Sequence, residues 1–269
     1  MDDRQRLSGY VDIWWGSVRS FTDLLDGLAD DDWRRPTDLP GWDVHACAAH
    51  TAHLEAVLAG EPEEAPSAGP QNDASSLISV YTEQGVLARR DRTPAELVEE
   101  IRRAATARYA RLLSDPPTDG RAKPTPIFSG VGWDWQTLLR NRPLDVWMHE
   151  QDVRRAVDRP GGLDSPAAVH VVDYLSESLG YVLAKRAGAP AGTTLVLSVD
   201  GHDPVAFAVD ESGRGRRLDE VPAEPTVGLV MDRESFIVAA GGRREPGHVV
   251  VTGDGELAQR VLDRLAVTP

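Results

Sequence analysis

The apolar residues of this chain change their period near Pro190, and that change constrains the fold more than any other feature. Before it, apolar side chains recur about every three to four residues, as in "YVDIWWGSVRSFTDLLDGL", where Val11, Trp14, Trp15, Val18, Phe21, Leu25 and Leu28 share one helical face. After it come short β-prone runs. "TTLVLSVDG" and "PVAFAVDE" are joined through Gly201-His202-Asp203 and predict a hairpin. "PTVGLVMD", "SFIVAAGG" and "HVVVTGD" follow as further β-prone segments, and "GELAQRVLDRLA" closes as an amphipathic helix. The expected architecture is a helical bundle over residues 1–188 joined to a small α+β domain over residues 189–269.

Within the first part, breakers divide the helices. Pro36, Pro40 and Gly41 end the first, and Asp43 offers an N-cap for a second that runs to Ala59 before Gly60. Residues 61–74 read as an exposed loop with three prolines. Helices are expected over 75–90 and 94–114, the latter opened by Thr93-Pro94. A loop is expected over 115–130, then a long helix over 133–157. A last helix begins at Ser165-Pro166 and continues to Gly188.

Composition removes several function classes. A net charge of −14 over 269 residues argues against nucleic acid and against an anionic membrane surface. No apolar run approaches the roughly 20 residues needed to span a bilayer. The opening "MDDRQRLSGY" lacks the apolar segment of a signal peptide, so the expected location is the cytoplasm. With Cys47 as the single cysteine, internal disulfides and thiolate metal clusters are excluded. Cys47 lies on an apolar helix face and reads as a small buried hydrophobe.

The chemistry-bearing residues lie on two helices. On the wheel of the second, Val44, Cys47, Ala48, Thr51, Leu54 and Leu58 form the apolar face, and His50 stands roughly 80° from its centre. His45 and His53 stand roughly 140° away and are expected to be exposed. In "DVWMHEQDV", His149 falls roughly 40° from the inner face of the long helix, with Asp145 one turn earlier and Asp152 just beyond. Arg142 allows a simpler reading, a local charge pair with Asp145. An acid and a histidine at the inner rim of a bundle are nevertheless costly to bury without a partner. A divalent cation would satisfy His50, Asp145 and His149 together, leaving the open position of a catalytic zinc site. Asp152 then reads as an acceptor that orients a ligating imidazole.

Those same residues carry a resemblance. "LPGWDVHACAAH", with His50 eight residues after Trp42, and Asp145, His149 and Asp152 of "DVWMHEQDV" resemble two motifs of the mycothiol-dependent maleylpyruvate isomerase family. That family falls within the DinB-like superfamily of four-helix metal-binding thiol transferases. The tail "FIVAAGGRREPGHVVVTGDGELAQRVL" is similar to its small, sterol-carrier-like α+β domain. The resemblance implies a DinB-like four-helix bundle and a divalent metal, zinc, on His50, Asp145 and His149. It also implies mycothiol as thiol cosubstrate, a small electrophilic molecule as substrate, and an active-site arginine for which Arg243 or Arg244 is the nearest match. The family motif has glutamate where this chain has Asp145, so direct ligation by the shorter side chain requires a closer helix, or else a bridging water.

Coordination would stabilise the thiolate of mycothiol for attack on an electrophilic carbon, giving isomerisation or S-transfer. Trp42, Trp133 or Trp147 and the C-terminal domain are the expected pocket walls. Two rival readings stand beside this one. A non-catalytic ligand- or partner-binding module predicts neither metal nor thiol dependence. A metal-dependent hydrolase would use Asp152 or Glu150 as base, without mycothiol.

Overall fold

The computed structural model describes residues 2–64, 77–125 and 132–268. It divides into two compact units, Met1–Gly162 and Leu163–Pro269. The period-based boundary at residue 188 differs from this division. Periodicity marks where helices give way to strands, whereas compactness follows which elements pack together, and the helix after Ser165 packs with the sheet domain. The expected loop residues 65–74 and 126–130 and the first two residues of the 75–90 helix lie outside the described residues.

The first unit is helical: α1 (Asp3–Asp26), α2 (Val44–Leu58), α3 (Leu77–Arg89), α4 (Pro94–Ser114) and α5 (Trp135–Ala156). The starts follow the capping chemistry. Asp43 accepts from the Ala46 amide at 2.9 Å, Thr93 and Glu96 form a reciprocal capping box ahead of Pro94, and Asp134 accepts from the Thr137 amide at 2.8 Å. Helix α1 packs on α4 and α5, and α2 packs on α3, α4 and α5. Helix α5 runs on through Pro143, whose ring removes one backbone donor, with Arg142, Pro143, Leu144 and Val146 around it buried. Among the described residues no helix is long and apolar enough to cross a membrane.

Helix α2 departs from the amphipathic reading. Every side chain from Val44 to Leu58 is buried, so the helix has no solvent face at all. The expected exposure of His45 and His53 is therefore corrected: both are buried. Alanines at 46, 48, 49, 52 and 56 let the surrounding helices close in on every side. The histidines are satisfied internally. His45 Nε2 lies 2.8 Å from the Arg92 carbonyl oxygen, and His53 Nδ1 lies 3.0 Å from Arg89 Nη1. Arg89 in turn donates to buried Glu100 through Nη2 at 2.6 Å. The His53 ring fills the space over Gly85, where an added Cβ would come within 2.2 Å of it.

The second unit contains α6 (Pro166–Ser176), a short α7 (Leu179–Tyr181) continued by a π-type turn at Val182–Arg186, and a sheet with α8 (Arg233–Ala240) and α9 (Gly255–Leu262). The single helix expected from Ser165 to Gly188 breaks after Ser176. Beyond the break the backbones of Gly180 and Gly215 touch, and a Cβ on Gly215 would stand 1.9 Å from the Gly180 oxygen. The strands are β1 (Thr194–Val199), β2 (Val205–Val209), β3 (Gly215–Arg217), β4 (Val227–Met231) and β5 (Val249–Gly253), in the order β3-β2-β1-β4-β5. Strands β1 and β2 form the expected antiparallel hairpin, and β1 and β4 run parallel. "SFIVAAGG" is corrected from strand to helix α8. A short apolar run is ambiguous in period, and Asp232 decides it by capping Ser235 N at 2.7 Å and Ser235 Oγ at 2.9 Å.

Burial, assisted by Arg89, lowers His53 from 6.5 to about 3. The unfolded chain therefore binds a proton that the folded chain refuses, and stability falls as pH drops from 6.5 toward 3. In the metal-free protein, the denaturant midpoint should decline between about pH 6.5 and about pH 5. The contribution of His53 is at most about 1.4 kcal/mol per pH unit. Urea titrations of His53→Gln should show a shallower decline, and an unchanged slope would refute the assignment.

Candidate metal centre

Three side chains from two helices meet in the first unit. Helix α2 supplies His50, and α5 supplies Asp145 and His149 one turn apart. His50 Nε2 lies 3.3 Å and His149 Nε2 3.8 Å from Asp145 Oδ1, and one ligand atom from each of the three residues lies within 4.8 Å of the others. The two imidazoles meet edge to face with centroids 4.7 Å apart. His50 and His149 are nearly fully buried, while the Asp145 side chain keeps 21% of its exposure, so the cluster is reachable from the Asp145 side.

Burial pushes the Asp145 carboxyl up, but Arg142 first and then His50 outweigh it and hold it well below the usual carboxylate range. Burial also lowers His50, against the opposing pull of Asp145, and keeps its ring neutral. The centre thus combines a carboxylate with a neutral imidazole whose Nδ1 is buried without a hydrogen-bond partner. Two imidazole nitrogens and one carboxylate oxygen are a donor set suited to zinc. Tetrahedral coordination with bonds of roughly 2.0–2.2 Å places donor atoms about 3.3–3.6 Å apart. The observed separations fit such an ion after a small inward movement. The shorter aspartate reaches the imidazoles directly.

Asp152 stands behind His149, with Oδ2 3.4 Å from Nδ1, while Arg155 donates to Asp152 Oδ1 at 2.6 Å. Arg155 also donates to Asp38 Oδ2 at 2.7 Å, tying the segment before α2 to α5. Glu150, a base in the hydrolase alternative, is turned elsewhere: its Oε1 accepts from Ser20 at 2.7 Å and from Arg154 at 2.8 Å. Of the tryptophans expected to line a pocket, Trp42 lies against the centre. Its ring is 5.2 Å from His50 and 5.7 Å from His149, nearly parallel to the latter. Trp133 packs instead against Leu54, Val57, Leu58 and Leu138, and Trp147 is buried. Arg243 belongs to the second unit, where Nη1 donates to the Gly241 carbonyl oxygen at 2.6 Å and to Thr268 Oγ1 at 3.2 Å.

The residue that sequence reasoning missed is Glu55, wholly buried on α2 five positions after His50. Its Oε1 accepts from Arg142 Nη2 at 2.7 Å and from Trp14 Nε1 at 3.0 Å, and its Oε2 lies 3.4 Å from Arg108 Nη1. Arg142 then donates through Nη1 to Asp145 Oδ2 at 2.9 Å. A lone acid in a run of alanine, leucine and valine was the available signal. The Arg142–Asp145 pair expected as a rival to the metal site is present beside the cluster, and it engages the oxygen that the histidines do not face.

Residues 14–154 match the profile of the mycothiol maleylpyruvate isomerase (MDMPI) N-terminal domain, and residues 168–260 match the MDMPI C-terminal domain. The chain belongs to this family. Its fold is also that of a solved relative, the mycothiol-dependent maleylpyruvate isomerase, at 16% identity and a TM-score of 0.56, covering 94% of this chain and 96% of that one. A histidine-to-alanine mutant of that isomerase aligns over the same shares of both chains with a TM-score of 0.53 and 16% identity. No curated protein sequence matches the chain significantly.

If the cluster holds a metal, zinc content should separate its histidines. Elemental mass spectrometry should find about one zinc per chain in the wild type and almost none in His50→Ala or His149→Ala. His45→Gln, altered at a ring bonded only to backbone, should keep its zinc. Equal zinc in all four proteins would rule out the assignment.

Proposed function

We propose that this chain is a mycothiol-dependent isomerase or thiol transferase acting on a small electrophilic molecule, with zinc held by His50, Asp145 and His149. The observation that carries the reading is the convergence of one ligand atom each from His50, Asp145 and His149 within 4.8 Å of one another, in a chain matched by both domains of the family. A divalent ion there supplies one thing, a lowered thiol pKa, so that the reactive thiolate persists at neutral pH.

The protein groups do the rest. Neutral His50 offers the lone pair of Nε2, and the charged Asp145 presents Oδ1 because Arg142 occupies Oδ2. Asp152 Oδ2 lies 3.4 Å from His149 Nδ1, and a small ring rotation that brings the two into a hydrogen bond would leave Nε2 as the ligating atom. Trp42 covers one side of both imidazoles and excludes water there. Mycothiol thiolate adds to an electrophilic carbon of the substrate. Addition breaks the π bond of an activated double bond and moves its electrons onto the conjugated carbonyl oxygen. Rotation and expulsion of the same thiolate re-form the double bond and give cis–trans isomerisation, whereas protonation of the adduct by solvent followed by its release gives S-transfer. The active-site arginine that the family resemblance implies is assigned to Arg243 or Arg244.

Maleylpyruvate, named for the solved relative, is the first substrate to offer. Turnover should require both mycothiol and zinc, vanish after dialysis against a chelator, and return on adding zinc. Its absence with either component present alone distinguishes this enzyme from a hydrolase, which needs no thiol. Binding of small molecules with no turnover, metal or thiol dependence would leave the non-catalytic module as the correct reading.

A further inference from the structure

We propose that Glu55 is a positioning residue of the metal centre, holding Arg142 so that Asp145 offers a single oxygen to the ion. The proposal rests on the metal-binding reading of His50, Asp145 and His149. Glu55 shares a helix with His50, and Arg142 shares one with Asp145 and His149, so their contact ties together the two helices that carry the donors. The tie is made by one planar group. Arg142 gives Nε, at 3.3 Å, and Nη2, at 2.7 Å, to Glu55 Oε1, and gives Nη1 to Asp145 Oδ2. A guanidinium is rigid, so anchoring one edge fixes the direction of the other.

The consequence lies in what Arg142 is prevented from doing. An arginine beside a carboxylate tends to form two parallel hydrogen bonds, one to each oxygen. Released from Glu55, Arg142 could turn its fork onto Asp145 and engage both oxygens, competing with a cation for Oδ1. Glu55 blocks that arrangement and also supplies negative charge between Arg142 and Arg108, both buried and both close to it. Trp14 and Arg108 fix the carboxylate in turn, from α1 and α4. Glu55 acts on the centre through Arg142.

The test uses the full chain, with the wild type and the variants Glu55→Gln, Arg142→Met, their double mutant and Trp14→Phe. Zinc affinity is measured by competition with a chromophoric chelator, the cobalt(II) forms supply visible spectra, and thermal melts report folding. Glu55→Gln should melt cooperatively yet bind zinc about 10–100-fold more weakly, with a changed cobalt spectrum. The double mutant should lose no more affinity than Arg142→Met alone, because one residue acts through the other. Wild-type zinc affinity and an unchanged cobalt spectrum in Glu55→Gln, even with a lowered Tm, would overturn the proposal and leave Glu55 a purely structural group. Additive losses in the double mutant would overturn it as well. Should Glu55→Gln not fold, Trp14→Phe decides: a smaller weakening of zinc binding with an altered cobalt spectrum supports the proposal, and wild-type behaviour rejects it. A wild type that binds neither zinc nor cobalt defeats the metal reading itself and this proposal with it, an outcome read from the wild type alone.

Discussion

The carboxylate of Glu55 is the point on which the helical unit depends. It is wholly buried, and donors reach it from three other helices: Trp14 on α1, Arg108 on α4 and Arg142 on α5. Four helices of the bundle therefore meet at one charged group. Such a cluster adds little net stability, because the desolvation of each ion offsets most of the attraction. Its asymmetry is what matters. Removing one partner strands the others in a low-dielectric interior at a cost of about 3–5 kcal/mol, so packings that fail to bring all of them together are disfavoured. The arrangement that satisfies Glu55 also sets the spacing of α2 and α5, and with it the approach of His50 to Asp145 and His149.

A second buried polar group lies on the same central helix. His53, Arg89 and Glu100 link α2 to α3 and α4, while His45 is bonded to the Arg92 carbonyl. Helix α2 thus carries three histidines and a glutamate in the interior, each facing a different neighbour. His45 and His53 are bonded to groups outside the cluster, and Glu55 reaches it only through Arg142. His50 differs because its Nε2 faces a carboxylate beside a second imidazole, with Trp42 over both rings.

Much of this was legible from the residues. The change of period near Pro190, the caps at Asp43 and Thr93, and the hairpin through Gly201 are local facts, set by sterics and hydrogen bonding within a few residues. The pairing of Asp145 with His149 one helical turn apart follows from the pitch of the helix alone. The wheel failed for His45 and His53 because it assumes one solvated face, and α2 has none. The β-prone reading of "SFIVAAGG" failed because eight residues are too few to separate the two periods, and the deciding signal was the cap at Asp232.

The sequence by itself determined the two kinds of domain, the helix on which each donor sits, and the motifs that place the chain in its family. These depend on short-range periodicity and on side-chain chemistry, both of which are written along the chain. Only the tertiary structure decided that α2 lies at the centre of its unit and that Glu55 is the buried partner of Arg142. It also decided that Arg142 takes one oxygen of Asp145 and leaves the other toward the histidines. Those outcomes rest on contacts between residues 41 to 95 positions apart, such as Trp14 with Glu55 and His50 with Asp145. No local pattern encodes them, because each is set by how four helices share one small volume.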